Sequence, residues 1–264
     1  MGLLLGYVAN RADALAEVLA AERDALRLPP TREPVAWGVG FYQGGEVLHR
    51  KRPQLDGPVD WPEIVEGIRT DCAILHVRTP TVGGFRLENT HPFRMRIWQM
   101  AHHGTIPRFS AVREALIAQM PDFLRRNIRG ETDSEHYFHA VLAFLHDAGV
   151  LDTPEADGRA VLPALRSAVA QIDRLVEEAG GGRATLNAVL TDGRSMWAVR
   201  RGSPMRWVQR RIEPGGEGRR GSDLRYVLVV SGPEPPQEPG YRELADSSVL
   251  VITRALQTTV FPLA

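Results

Sequence analysis

The chain of 264 residues has one cysteine, Cys72, one lysine, Lys51, no excess of either charge, and nowhere 18 consecutive apolar residues. A lone cysteine cannot close an intrachain disulfide, so oxidative stapling contributes nothing and the cytoplasm is the default compartment. Basic and acidic side chains balance at 32 each, and with a single lysine 31 of the basic ones are arginines. That ratio points to a GC-rich coding sequence. The neutral balance removes the overall basic field of a protein that coats nucleic acid, so no nucleic-acid partner is expected. Without a long apolar run, no membrane span is expected either. The opening run Met1–Val8 is too short for a signal h-region and lacks a basic segment before it, so it reads as a strand. Gly6 stands where an N-myristoylation motif wants serine or threonine. What is present, 43% hydrophobic and 24% charged residues, describes a soluble globular chain with a sizeable core.

Periodicity divides the chain into a strand-rich start, a helical middle and a strand-rich end. Ala12, Leu15, Val18, Leu19 and Leu26 recur with near-helical spacing until Pro29-Pro30. Val35–Tyr42 and Glu46–Lys51 flank the turn Gln43-Gly44-Gly45 as a hairpin, followed by a loop over Pro53–Pro62. A short helix is predicted over Ile64–Arg69, and buried strands over Cys72–Val77 and Trp98–Ala101. Helical patterns cover Ser110–Met120, Pro121–Arg126, Ser134–Asp147 and Ala156–Glu178, the last with Leu162, Leu165, Val169, Ile172 and Val176 on one face. The period then changes to two: Thr185–Leu190 and Ser195–Arg200 form a hairpin, with further strands at Tyr226–Ser231 and Val249–Arg254. Breaker-rich stretches at Glu213–Gly221 and Gly232–Gly240 are surface loops. No repeat emerges, and the pattern is that of one α+β domain spanning residues 1–264.

Reactive side chains concentrate between His76 and His103, which hold four of the eight histidines. Strand ends and turns use His and Asn in this way without any chemistry. Zinc held by His76, His91, His102 and His103 is an alternative, unsupported by cysteine or carboxylate at ligand spacing. Cys72, inside the apolar run Cys72-Ala73-Ile74-Leu75, reads as a small core residue rather than a nucleophile. No G-x-S-x-G elbow occurs, and no serine or threonine has a recognisable base. Thr132 with Glu135 three residues on is a capping box, in which Asp133 favours the helix N-terminus electrostatically.

Five blocks taken in order change this picture. They are the strand ending Leu5-Gly6-Tyr7, the run His76–Gly83, the block Glu88–Phe93, the turn His102–Ile106 and the segment Gly130–Glu135. Together with the hairpin Leu186–Gly193 and Met196–Arg200, they resemble a class II glutamine amidotransferase domain over nearly the whole chain, closest to the compact, stand-alone branch. The resemblance implies a four-layer αββα N-terminal-nucleophile hydrolase fold that holds glutamine while its side-chain amide is cleaved to glutamate and ammonia. It places Arg78 on the substrate carboxylate and Asp133 on its ammonium, with Thr81 and Gly83 nearby. A fixed guanidinium fork suits a carboxylate, and a fixed carboxylate suits an ammonium. No metal or organic cofactor is needed.

Three positions depart from the family. Its nucleophile is a cysteine at position two, activated by its own α-amine; here the residue is Gly2, followed by Leu3 where arginine is usual. Its oxyanion hole has asparagine before glycine; here the pair is His103-Gly104, in which Gly104 keeps a backbone N–H. The expectation is a protein that retains a glutamine or γ-glutamyl pocket and is catalytically inactive. Two alternatives remain open at this point: an active glutaminase or γ-glutamyl amide hydrolase whose natural cysteine at position two was replaced artificially, and a regulatory or structural protein that uses the fold to engage a partner protein.

Overall fold

The structure, a computed structural model, describes residues 2–28, 33–79, 82–153, 158–213, 223–234 and 236–263. The chain begins with β1 (Leu3–Ala9), α1 (Leu15–Ala21), β2 (Val35–Gln43), β3 (Glu46–Leu55), α2 (Trp61–Ile64) and β4 (Cys72–Arg78). Then come β5 (Phe93–Met95), β6 (Trp98–Thr105), α3 (Phe109–Ala118), α4 (Asp122–Arg125), α5 (Asp133–Asp147) and α6 (Leu162–Glu178). The last part holds β7 (Thr185–Thr191), β8 (Ser195–Arg200), β9 (Met205–Ile212), β10 (Leu224–Ser231), β11 (Arg242–Glu243), β12 (Ser248–Thr253) and β13 (Thr258–Pro262). They form one seven-stranded sheet in the order β11-β9-β10-β1-β4-β2-β3 and one six-stranded sheet in the order β13-β12-β8-β7-β6-β5. Every strand pairing is antiparallel.

Side-chain alternation builds the layers. On β1, Leu3, Leu5, Tyr7 and Ala9 pack outward against Leu15, Val18 and Leu19 of α1. Leu4 and Val8 point the other way, into a layer shared with Cys72, Ile74, Ala101, Val189 and Leu250 between the two sheets. All seven β1 residues are buried, which is why the strand reads as a continuous apolar run. The second sheet carries α3, α5 and α6 on its far face, packed through Trp98, Met100, Phe138, Leu142, Leu165 and Ile172. Helix, sheet, sheet, helix is the expected αββα sandwich. No helix of the described residues is long and apolar enough to cross a membrane.

Several local expectations are corrected. The short helix lies at Trp61–Ile64 rather than Ile64–Arg69: Pro62 sits in its first turn, and Gly67 with φ +75° ends any continuation. β3 runs through Pro53 to Leu55, because it is an edge strand with no neighbour to need that missing N–H. His102 to Thr105 is not a turn but the end of β6, paired with β7 from Ala188 to Thr185. Helix α6 begins at Leu162. The expected start at Ala156, and most of the loop Glu213–Gly221, lie outside the described residues. β9 and β13 had no expected counterpart.

Candidate functional site

The same alternation aims the polar residues. Cys72 and Ile74 of β4 face the second sheet, so His76 and Arg78, two and four residues further, come to the same side at the strand end. On β6, Ala101 lies between the sheets and Met100 faces the helices. His103 therefore emerges between the sheets, and His102 emerges toward α5. These ends converge with the start of α5 on a cavity of about 280 Å³ lined by Gly2, Arg78, His103, Gly104 and Asp133. His76, His91, His102, Ser134 and Thr185 complete much of its wall. Gly83 is not part of its lining and is tied to it only through Arg78, which donates to the Gly83 carbonyl, and Thr81 lies outside the described residues.

Arg78 is 6% exposed, and its guanidinium donates to the carbonyls of Val82, Gly83 (3.0 Å) and Gly84 (3.1 Å). Burial lowers its pKa from the ordinary arginine value, and the Asp133 charge opposes that shift. Asp133 occupies the first turn of α5, where Oδ2 accepts the Ile106 N–H at 2.9 Å and Oδ1 the Ser134 N–H at 2.8 Å. It thus ties the end of β6 to the start of α5. The capping box forms by half: Thr132 Oγ1 accepts the Glu135 N–H at 3.2 Å. Glu135 reaches past the cap instead, taking the N–H groups of Arg129 (2.9 Å) and Gly130 (2.6 Å).

The side of the cavity formed by Gly2, His103 and Gly104 is built differently. At Gly2 a Cβ would stand 2.7 Å from the Val77 carbonyl oxygen, so the backbone closes on a residue without a side chain. A Cβ at Gly104 would collide with the Thr185 carbonyl oxygen at 1.9 Å, the same oxygen that holds His102 Nε2 at 2.9 Å. His103 Nδ1 lies 3.1 Å from the Ser231 carbonyl oxygen. A carbonyl can only accept, so the proton sits on Nδ1. Burial lowers the His103 pKa and favours the neutral ring, which leaves Nε2 a lone pair rather than an N–H.

Sequence reasoning singled out His76, His91 and His102 only as part of a zinc alternative. Among the described residues, no three His, Cys, Asp or Glu side chains are grouped to hold a metal ion. His102 is instead spanned by Thr185 and by Ser134 Oγ, 2.9 Å from Nδ1. The His76 and His91 rings pack 4.2 Å apart between centres at a 40° tilt, and burial drives both pKa values well below the histidine norm. His76 Nδ1 and both His91 nitrogens lack partners among the described residues, leaving this part of the cavity wall polar but uncharged beside Arg78 and Asp133. Ser134 was unmarked in the sequence because its pairing with His102 joins residues 32 apart. Cys72 stays outside the cavity, 3.3 Å from Thr191 Oγ1, its thiol pushed up to about 12 by burial.

The sequence profile of a family described as glutamine amidotransferases class-II matches residues 4–218. The chain belongs to this family. A curated relative, the Escherichia coli (strain K12) protein YafJ, a glutamine amidotransferase by name, is 26% identical over 190 residues. That match spans 68% of this chain and 65% of YafJ. Among solved structures, a glutamine aminotransferase class-II domain protein from Silicibacter pomeroyi superposes with a TM-score of 0.65 at 20% identity, covering 99% of both chains. A protein from Pseudomonas aeruginosa PA01, described as a predicted glutamine amidotransferase, gives 0.58 at 21% identity over 97% of each. The glutamine phosphoribosylpyrophosphate amidotransferase of B. subtilis gives 0.57 at 13% identity, with 99% of this chain covering 49% of that one. These likenesses carry the fold, an α+β sandwich of the N-terminal-nucleophile hydrolase type. In this class II amidotransferase fold the cavity opens where the ends of β4 and β6 meet the start of α5.

Proposed function

We propose that this class II glutamine amidotransferase-like chain binds glutamine or a γ-glutamyl compound in the 280 Å³ cavity and does not hydrolyse it. The observation that carries the proposal is the convergence of Gly2, Arg78, His103, Gly104 and Asp133 on one cavity from four separate stretches of sequence. In this reading Arg78 meets the ligand α-carboxylate and Asp133 its ammonium, a pair of charge-assisted contacts roughly twice as strong as neutral hydrogen bonds. Gly2 supplies no nucleophile. A neutral His103 whose Nδ1–H is donated to the Ser231 carbonyl offers no donor to an oxyanion, a contribution worth about 2.7 to 4 kcal/mol in a working site. The close approach of Val77 to Gly2 speaks for a position shaped around glycine and against a displaced cysteine.

Calorimetric titration of the full chain with glutamine and a γ-glutamyl dipeptide tests the binding half. Saturable binding that Arg78→Ala weakens is the expected outcome, and no binding at millimolar ligand sinks it. The catalytic half fails if the unaltered chain releases ammonia from glutamine.

A further inference from the structure

A second cavity, of about 500 Å³, opens beside the edge of the first sheet, lined by Lys51 of β3, Arg94 of β5, Arg129 from the loop before α5, and His49, Phe93 and His139. Most arginines of this chain that form ion pairs do so at close range, as Arg174 with Glu178 at 2.7 Å and Arg183 with Asp246 at 2.8 Å. Lys51, Arg94 and Arg129 do not: among the described residues none of their side-chain nitrogens has a carboxylate oxygen within 4 Å, although the Arg129 backbone N–H lies 2.9 Å from Glu135 Oε1. Arg94 spends one N–H on the Val47 carbonyl. Two carboxylates share the cavity. Glu135 already accepts the Arg129 and Gly130 N–H groups, and Glu88 leans toward Arg86 at 3.6 Å.

Lys51 is the only lysine beside 31 arginines. Its stem packs over Gly38, where a Cβ would come within 3.2 Å of Lys51 Cγ, and its ammonium lies 5.8 Å from the centre of the Phe93 ring. A compact, rotatable ammonium fits such a half-buried position, which a flat guanidinium would overfill. Burial brings this amine down to about 8, the Glu135 charge resisting and the Arg94 charge assisting. Glu88 also resists, so the cost to the ammonium is one of lost hydration, which an anion in the cavity would offset.

Hydrogen bonding narrows the ligand. His139 Nδ1 donates to the Glu135 carbonyl at 2.9 Å, so its buried Nε2 is an acceptor, with no partner among the described residues. We propose that this cavity binds a small oxyanion, a phosphate or a hydroxy-carboxylate, whose negative oxygens meet Lys51, Arg94 and Arg129 and whose own hydrogen-bond donor meets His139. The site is distinct from the glutamine cavity, from which the edge contact of His91 with Phe93, 4.6 Å between ring centres, divides it.

The test is calorimetric titration of the full chain with inorganic phosphate and, separately, with malate, at ionic strength held constant by sodium chloride. Saturable millimolar binding in one arm identifies the source of the oxyanion. Lys51→Met and Arg129→Gln should each weaken it about tenfold. A parallel readout needs no variant: acetylation of the sole lysine, mapped by mass spectrometry, should slow saturably with the anion that binds. No saturable heat in either arm overturns the proposal. So does affinity unchanged in both variants, or protection of Lys51 by glutamine and by neither oxyanion.

Discussion

Arg78 and Asp133 share a cavity with Gly2 and His103, yet the two pairs are held in place by different means. Arg78 is the hub of three loop carbonyls, and Asp133 accepts two backbone N–H groups that join β6 to α5. Both are part of the scaffold whatever they bind. Among the described residues Gly2 has no side chain to anchor backbone, and the His103 ring makes one hydrogen bond, to the Ser231 carbonyl. Groups that organise backbone are costly to lose, because stranding a buried N–H or C=O costs about 1–3 kcal/mol. Groups that only react can be exchanged at little cost to folding. A protein of this fold therefore sheds its proposed chemistry more easily than its proposed binding groups.

The largest effect that bears on this contrast is a gain. Gly2→Cys alone should leave ammonia release from glutamine undetectable, while Gly2→Cys with His103→Asn should exceed it at least about a hundredfold, the scale of one oxyanion donor. Robust activity of the single variant would show that His103 is no obstacle. Arg78→Ala comes next: glutamine affinity should fall about ten- to a hundredfold, and amide exchange across residues 82–84 should quicken because their carbonyl anchor is gone. Affinity lost with unchanged exchange would separate the two roles assigned to Arg78. In urea unfolding, Asp133→Ala should cost about 2 kcal/mol, since the Ile106 and Ser134 N–H groups lose their acceptor. His103→Ala should cost less than about 1 kcal/mol, because cavity water can replace Nδ1 at the Ser231 oxygen. Equal costs would erase the contrast.

How much of this the sequence discloses follows from the range of each interaction. The alternation of β1 and β4, the 3.6-residue stripe of α6 and the Thr132 cap are local patterns, and they appear where expected. The site residues Gly2, Arg78, His103, Gly104 and Asp133 came from resemblance, not from periodicity, and the cavity brings them together. Sheet pairing stayed hidden where it joins distant segments: the last residues of β6 look like a turn until β7, some 80 residues on, supplies their partners. β9, broken in pattern by Arg206, Gln209 and Arg210, is a strand because β10 pairs with it over eight residues. The Ser134 and His102 contact, and the three cations around the second cavity, have no local signature at all.

The smallest effect for any one residue is a slope with pH. Burial, the largest influence in each case, lowers the pKa of His49 to about 3 and of His139 to about 4, and lowers those of His76, His91, His102, His103 and His136 as well. Below about pH 6.5 the unfolded chain takes protons on these rings that the folded chain refuses. Stability then falls with falling pH, by up to about 1.4 kcal/mol per pH unit for each ring that stays neutral in the fold. For His139 that loss runs from about 6.5 down to about 4, and for His49 down to about 3. Glu135, Asp173 and Asp192 act in the opposite sense, because burial raises their pKa values and the fold protonates them first, so the slope flattens in the carboxylate range. Urea midpoints at pH 7, 6 and 5 should therefore drop steadily. His91→Phe, which keeps a ring between His76 and Phe93, should remove about one proton from that slope. An unchanged slope in this variant would mean that the His76 and His91 pair already carries a proton in the folded cavity wall, and that the wall is cationic like the neighbouring Arg78.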